Sequence, residues 1–264
     1  MKKTLKMIAL IVALALIAGL LYMAVGLLGN PVSKMLAERG AKAYLEETYA
    51  DTDFQLDEVS YDFKVGGYNA WVVSPSSPDS AFCLCMDWLG HVTYDRYEQD
   101  VLSGSNTARR LDMEYRELVD HALEAADTPY PSELCFGELW GIQREMKLEL
   151  DKVYDIRELG REYGGITFYY DCETITPEKA AEVLLGLRAY LDEAGVPFRT
   201  IDFVLQEPKP EDSEGQWDLD SVRVEDFPYE EITEENLPER IAAADAALRE
   251  PYKEMDAEKN GSVN

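Results

Sequence analysis

From Met7 to Leu28 the chain carries no charge and no strongly polar side chain. At the helical rise these 22 residues span about 33 Å, close to the roughly 30 Å of a bilayer's hydrocarbon core. A helix satisfies its own backbone polar groups in lipid, so this run predicts a transmembrane helix. Gly29-Asn30-Pro31 then interrupts it. Past that break the period of the apolar positions changes twice. Leu36, Ala41, Tyr44, Leu45 and Tyr49 recur at helical spacing and predict a helix over 32–49. Val59, Tyr61, Phe63 and Val65 then alternate with Ser60, Asp62 and Lys64, the pattern of a half-buried strand.

Gly66-Gly67 supplies a turn, and Tyr68 to Val73 returns as the partner strand. Ser74 to Asp79 reads as a loop, Ala81 to Trp88 as a third strand, and His91 to Tyr97 as a fourth. A helix follows, with Ser105 or Asn106 as its cap and Ala108, Leu111, Tyr115, Leu118, Val119 and Ala122 along one face. Thr128-Pro129-Tyr130-Pro131 ends it, and the domain boundary is placed there. In the second half, strands are predicted over 133–140, 166–170, 200–205 and 221–224. Thr176-Pro177 opens a helix that Gly195 stops, and a last helix runs near 237–252.

The fold class expected is α+β. An N-terminal transmembrane helix precedes two small α+β modules: a helix plus antiparallel meander, then a split βαβ, ferredoxin-like unit. The organisation is residues 1–31 as cytoplasmic lysines and anchor, 32–127 and 128–256 as the two domains, and 257–264 as a disordered tail.

Lys2, Lys3 and Lys6 precede the apolar run and favour a cytoplasmic N-terminus. The bulk of the chain is then extracytoplasmic, and the localisation is single-pass in the cell membrane. A cleaved signal peptide is the competing reading. Its apolar region is normally 7–15 residues, but Ala24-Val25-Gly26 offers a small-x-small site. Both readings put the rest of the chain on the same side of the membrane.

The net charge is −27 and the pI about 4.3. A field of that sign repels phosphate, which argues against nucleic acid and anionic lipid as partners. An unknown protein or peptide, in particular a cationic one, remains compatible; so does acidity that only keeps the domain soluble. Cys83 and Cys85 share one face of a predicted strand and read as reduced thiols, while a Cys135–Cys172 bridge stays open.

No Gly-x-Ser-x-Gly elbow, His-Glu-x-x-His, paired Cys-x-x-Cys or Gly-x-Gly-x-x-Gly occurs. His91 falls in a turn and His121 on a charged helix, where a surface role is the simpler reading. The acidic stretch 207–235 holds 12 carboxylates against Lys209 and Arg223. Asp212, Glu214, Asp218 and Asp220 there lack the EF-hand spacing, so a solvated loop is the better reading than a calcium site. Hence no catalytic, cofactor or metal residue is assigned. Trp71, Trp88, Tyr94, Tyr97, Trp140 and Trp217 are the aromatic candidates for a ligand platform. Trp71, Trp88 and Trp217 are the binding-face residues carried forward. Parity along the third strand sets Trp88 with Phe82, Leu84 and Met86, a core-like set.

The order of short motifs carries a resemblance. A lysine-led anchor is followed by Asn30-Pro31, Ala43-Tyr44-Leu45 and Val59-Ser60-Tyr61-Asp62-Phe63-Lys64. Gly90-His91-Val92-Thr93-Tyr94-Asp95-Arg96-Tyr97, Asn106-Thr107-Ala108-Arg109 and Thr176-Pro177-Glu178-Lys179-Ala180 complete it. Together they resemble the YfjL-like membrane-anchored proteins of Gram-positive bacteria. That resemblance implies topology and architecture and brings no functional residues. The first half is also similar to secreted helix-plus-sheet modules of the cystatin-like type, a likeness of fold alone. The function expected is a non-catalytic interaction module at the cell surface. The alternatives are an envelope hydrolase using cleft carboxylates and an accessory subunit of a membrane complex.

Overall fold

The structure, a computed structural model, describes residues 2–124, 128–132, 134–208 and 220–261. It is α+β, with a long apolar N-terminal helix and two sheets of four strands each. The chain forms two compact units, 1–107 with 147–152 and 108–146 with 153–264.

In the first unit α1 (Lys2–Leu28) leads through Gly29 into α2 (Pro31–Thr48). The Asn30 side chain accepts from the Ser33 N–H and Pro31 takes the first helical position, so the break between the helices is itself a helix start. α1 is long and apolar enough to cross a membrane, and none of its apolar window is buried in protein. A signal sequence passes the same test.

β1 (Gln55–Asp62), β2 (Gly67–Ser74), β3 (Ser77–Met86) and β4 (Val92–Asp95) make an antiparallel meander in sequence order. α2 lays Ala37, Ala41 and Leu45 against Val59, Tyr68, Ala70, Val72, Phe82, Leu84 and Met86. Tyr49, Phe54 and Tyr97 pack ring to ring around Phe82, and the Asp95 carboxylate accepts from the hydroxyls of Tyr44 and Tyr49 at 3.0 and 2.7 Å.

Two expectations change here. β1 ends at Asp62, so Phe63 and Val65 continue the alternation into the turn and stand exposed. β3 begins at Ser77, inside the expected loop. Pro78 lacks an N–H, yet it is tolerated because β4 pairs only with Leu84 to Met86 and leaves this half of β3 an open edge. That edge is closed by side chains. Asn106 donates to the carbonyls of Asp79 and Ala81, and Asp79 and Asp151 each accept the other's backbone N–H, at 3.0 and 3.1 Å. Asn106 lies within α3 (Ser105–Leu123), so it serves the sheet rather than capping the helix. Asn106→Ala should cost the first unit about 1–2 kcal/mol in urea unfolding, the penalty for two half-buried carbonyls left without donors.

All four cysteines are free thiols. Cys83 is buried, and burial pushes its thiol up to about 12. Iodoacetamide at pH 8 should therefore leave Cys83 unmodified in the native chain and label it once urea unfolds the protein, as peptide mapping would register.

In the second unit β5 (Cys135–Leu139), β6 (Gly164–Asp171), β7 (Thr200–Gln206) and β8 (Ser221–Pro228) lie in sequence order. β6 and β7 are parallel and joined by α6 (Pro177–Ala194); the other pairs are antiparallel. The split crossover is refined in one respect: β6 and β7 are hydrogen-bonded neighbours with no strand between them. Thr176 caps α6 and Gly195, in the left-handed region, stops it, as the sequence predicts. Phe168 and Phe203 stack across the parallel pair at 6.4 Å. Two helices that the pattern does not announce, α4 (Ile142–Glu145) and α5 (Ile156–Tyr163), lie between β5 and β6. α7 (Leu237–Gly261) closes the unit.

Candidate functional site

The second unit carries a cleft of about 900 Å³. It opens at the sheet end that carries the amino ends of β6 and β7 and the carboxyl ends of β5 and β8. Its first wall follows from the tight entry into β6. Asp155 caps α5 by accepting from the N–H groups of Arg157 and Glu158, and the helix runs straight into Gly164 without a loop. Trp140, just past β5, donates its backbone N–H to Tyr163 O at 2.8 Å. The Nε1–Cδ1 edge of its indole presses on Gly165, where a Cβ would stand 1.9 Å from Nε1 and 2.2 Å from Cδ1. Only glycine admits that approach, and the ring stays 52% exposed.

The second wall is built around Tyr229. Its hydroxyl donates to the Asp192 carboxylate, its ring face lies 4.0 Å from the Arg188 guanidinium, and Phe198 meets it edge-on at 5.1 Å. Arg188 also donates to the carbonyls of Tyr229 and Ile232. Three contacts thus fix one ring at the cleft's side, and the two carbonyls hold the guanidinium over it. Arg199 ties the walls together: its N–H donates to Gly164 O at 2.7 Å and its carbonyl accepts from Tyr229 N–H at 2.8 Å. Nearby, a bulge between β7 and β8 turns Asp226 into the left-handed region at φ 48°. The Asp226 N–H donates to the Asp202 carboxylate there.

The charges in the cleft are of both signs. Glu145, Asp192, Asp226 and Glu230 line it together with Arg161 and Arg199. Among the described residues neither Arg161 nor Arg199 forms an ion pair, although the protein carries 52 acidic residues. Among the described residues the lining holds no histidine, cysteine or serine. Such a surface can clasp a ligand through guanidinium forks, aromatic faces and carboxylates.

Of the tryptophans singled out by the sequence, Trp71 and Trp88 do not line the cleft. Trp71 sits on β2 between Glu58 and Cys83, 43% exposed, and Trp88 lies two residues past β3, 62% exposed. The core-like parity of Trp88 fails because the strand ends at Met86, before the alternation reaches it. Cys83, the partner of Trp71, and Trp88 are five residues apart, which at strand spacing sets the two rings' anchors roughly 16 Å apart. Trp217 falls outside the described residues. Of the described members of the wider aromatic set, Trp140 alone lines the cleft. Arg161, Arg199 and Tyr229 were not singled out; the only local hint is Pro228 fixing the backbone before Tyr229.

Fold and site together define a two-unit α+β protein with an N-terminal apolar helix and an open, mixed-charge cleft at one end of its second sheet. The chain belongs to the YfjL-like family: the YfjL-like N-terminal domain matches residues 4–96 and the YfjL-like C-terminal domain residues 114–242. No curated protein matches it. Among solved structures it is similar to a DUF5037 family protein from Ruminococcus gnavus ATCC 29149, a crystal structure at 2.55 Å resolution. Identity is 16% over 64% of this chain and 74% of that one, with a TM-score of 0.20.

Proposed function

We propose that this protein is a non-catalytic binding module held at the membrane by α1, with its N-terminus cytoplasmic and its two units outside. The ligand is a peptide segment that bears an acidic group for Arg161 and Arg199 and a basic group for the carboxylates opposite. The observation that carries this reading is the cleft itself: two arginines that form no ion pair among the described residues stand beside half-exposed Trp140 and the clamped ring of Tyr229. A guanidinium left unpaired in so acidic a chain is available to a carboxylate brought by a ligand. Lys2, Lys3 and Lys6 ahead of α1 support the orientation.

Photo-crosslinking in intact cells tests it. A benzoylphenylalanine replacing Glu230, in the cleft, should give discrete adducts that disappear in Arg161→Glu/Arg199→Glu. The same probe replacing Glu193, outside the cleft, should give none. Equal labelling from both positions, or adducts that ignore the double substitution, would sink the cleft as the binding site. Fractionation of the same cells tests the anchor, since the full chain should pellet with membranes and resist carbonate extraction.

A further inference from the structure

The first unit gathers large exposed apolar side chains in the two turns at one end of its sheet, besides Trp71 and Tyr94 on the strands themselves. The β1–β2 turn presents Phe63 at 57% and Val65 at 75% exposure, and the β3–β4 turn presents Trp88 at 62% and Leu89 at 45%. The register puts both turns at the same end: Tyr61 pairs with Tyr68, Tyr68 with Met86, and Met86 with Val92. That end is also where α1 leaves off. The Tyr68 hydroxyl donates to Asn30 O at 3.0 Å, and the Tyr61 hydroxyl reaches back along the helix to Gly26 O at 3.1 Å. Gly29, at φ 70°, turns the chain there, and a Cβ on it would meet the Tyr61 ring at 2.8 Å. The turns are therefore tied to the last turns of α1, and Phe63 lies only two residues, about 7 Å, beyond Tyr61.

We infer that these two turns form a lipid-contacting rim. With α1 in the bilayer, Phe63, Val65, Trp88 and Leu89 enter the boundary between headgroups and acyl chains beside it. Lys64 and the tyrosine hydroxyls stay at headgroup level. This inference rests on the membrane anchoring proposed above. The occupant is lipid rather than a second protein because the rim is continuous with a helix whose apolar surface has no protein cover. Tryptophan and tyrosine favour that boundary, where an apolar ring and a polar tip are both accommodated. The second turn is also stiff enough to present its side chains. The Asp87 carboxylate accepts from the N–H groups of Leu89 and His91 and meets the His91 ring at 2.9 Å. Anchored at two points besides the helix, the first unit is held at one tilt to the membrane.

The test uses the full chain in liposomes whose lipids carry bromine high on the acyl chain, after flotation has shown that the protein is embedded. Trp88 is one of four tryptophans, so bromine should remove about a quarter of the emission, the share of a ring at the interface. In Trp88→Phe that loss should vanish, whereas in Trp71→Phe it should persist. Embedded protein whose emission bromine leaves unchanged overturns the rim and leaves the anchor intact. Protein that fails to float overturns the anchor and the rim with it. Quenching that survives in Trp88→Phe also overturns the rim, since another tryptophan then lies in lipid.

Discussion

Tyr115→Ala should cost the second unit about 3–5 kcal/mol, enough to unfold it under conditions where the native chain is folded. Tyr115 is fully buried on α3, and three glycines from three elements make room for its ring. A Cβ on Gly137 of β5 would lie 3.0 Å from the ring, on Gly160 of α5 2.6 Å, and on Gly164 at the head of β6 2.4 Å from the hydroxyl. That hydroxyl donates to Pro197 O at 3.0 Å, and burial pushes its ionisation above the ordinary tyrosine range. Deleting the ring leaves a cavity that rigid backbone on three sides cannot fill. Pro197 borders the cleft, so the loss should also appear as weaker retention of any cleft ligand. Tyr115→Phe keeps the ring and removes only the donor, so it should cost about 1–3 kcal/mol. Urea unfolding followed by circular dichroism should order the three proteins in that way. Equal stability of Tyr115→Ala and the native chain would refute the packing account.

How far the sequence announces all this depends on the range of the interaction. α1, the cap at Thr176 and the meander are written in neighbouring residues, and they are legible; Asn30, read there only as part of a break, is the cap of α2. Alternation alone does not mark where a strand stops. Val59 is buried, yet Phe63 and Val65 follow the same period into the open, and Trp88 overruns β3 in the same way. In both cases the side chains that overrun the strand are those at the sheet end next to α1. The helices α4 and α5 are too short to display a helical period. The cleft is the least legible feature. Trp140, Arg161, Arg199 and Tyr229 come from four separate stretches of chain, and only the sheet of β5, β6, β7 and β8 brings them together. Gly165, which admits the Trp140 indole, looks in the sequence like a turn residue beside Gly164 and is in fact the second residue of a strand.

The same kind of close approach governs the first unit and leads to the second large effect. Gly40→Ala should destabilise that unit by at least about 2 kcal/mol. On an exposed helix the change would be favourable by about 1 kcal/mol, because alanine is the better helix former. Here a Cβ would stand 1.8 Å from the carbonyl oxygen of Gly90, which is backbone and cannot rotate away. Gly90 is pressed from its own side as well: it holds φ 89°, and a Cβ on it would lie 2.4 Å from Leu36 O. Helix and turn therefore touch backbone to backbone, with Ala37 and Ala41 keeping the same face of α2 small. To relieve the clash α2 must lift from the sheet, uncovering Val59, Leu84 and Met86, or the 87–91 turn must shift and carry Trp88 with it. Thermal unfolding should separate this substitution from Lys42→Ala, two residues away and exposed, which should stay within about 0.5 kcal/mol of the native chain. If the turn yields rather than the helix, Trp88 emission in brominated liposomes should change while the melting temperature falls less. The two readings together then identify which of the touching backbones is the stiffer.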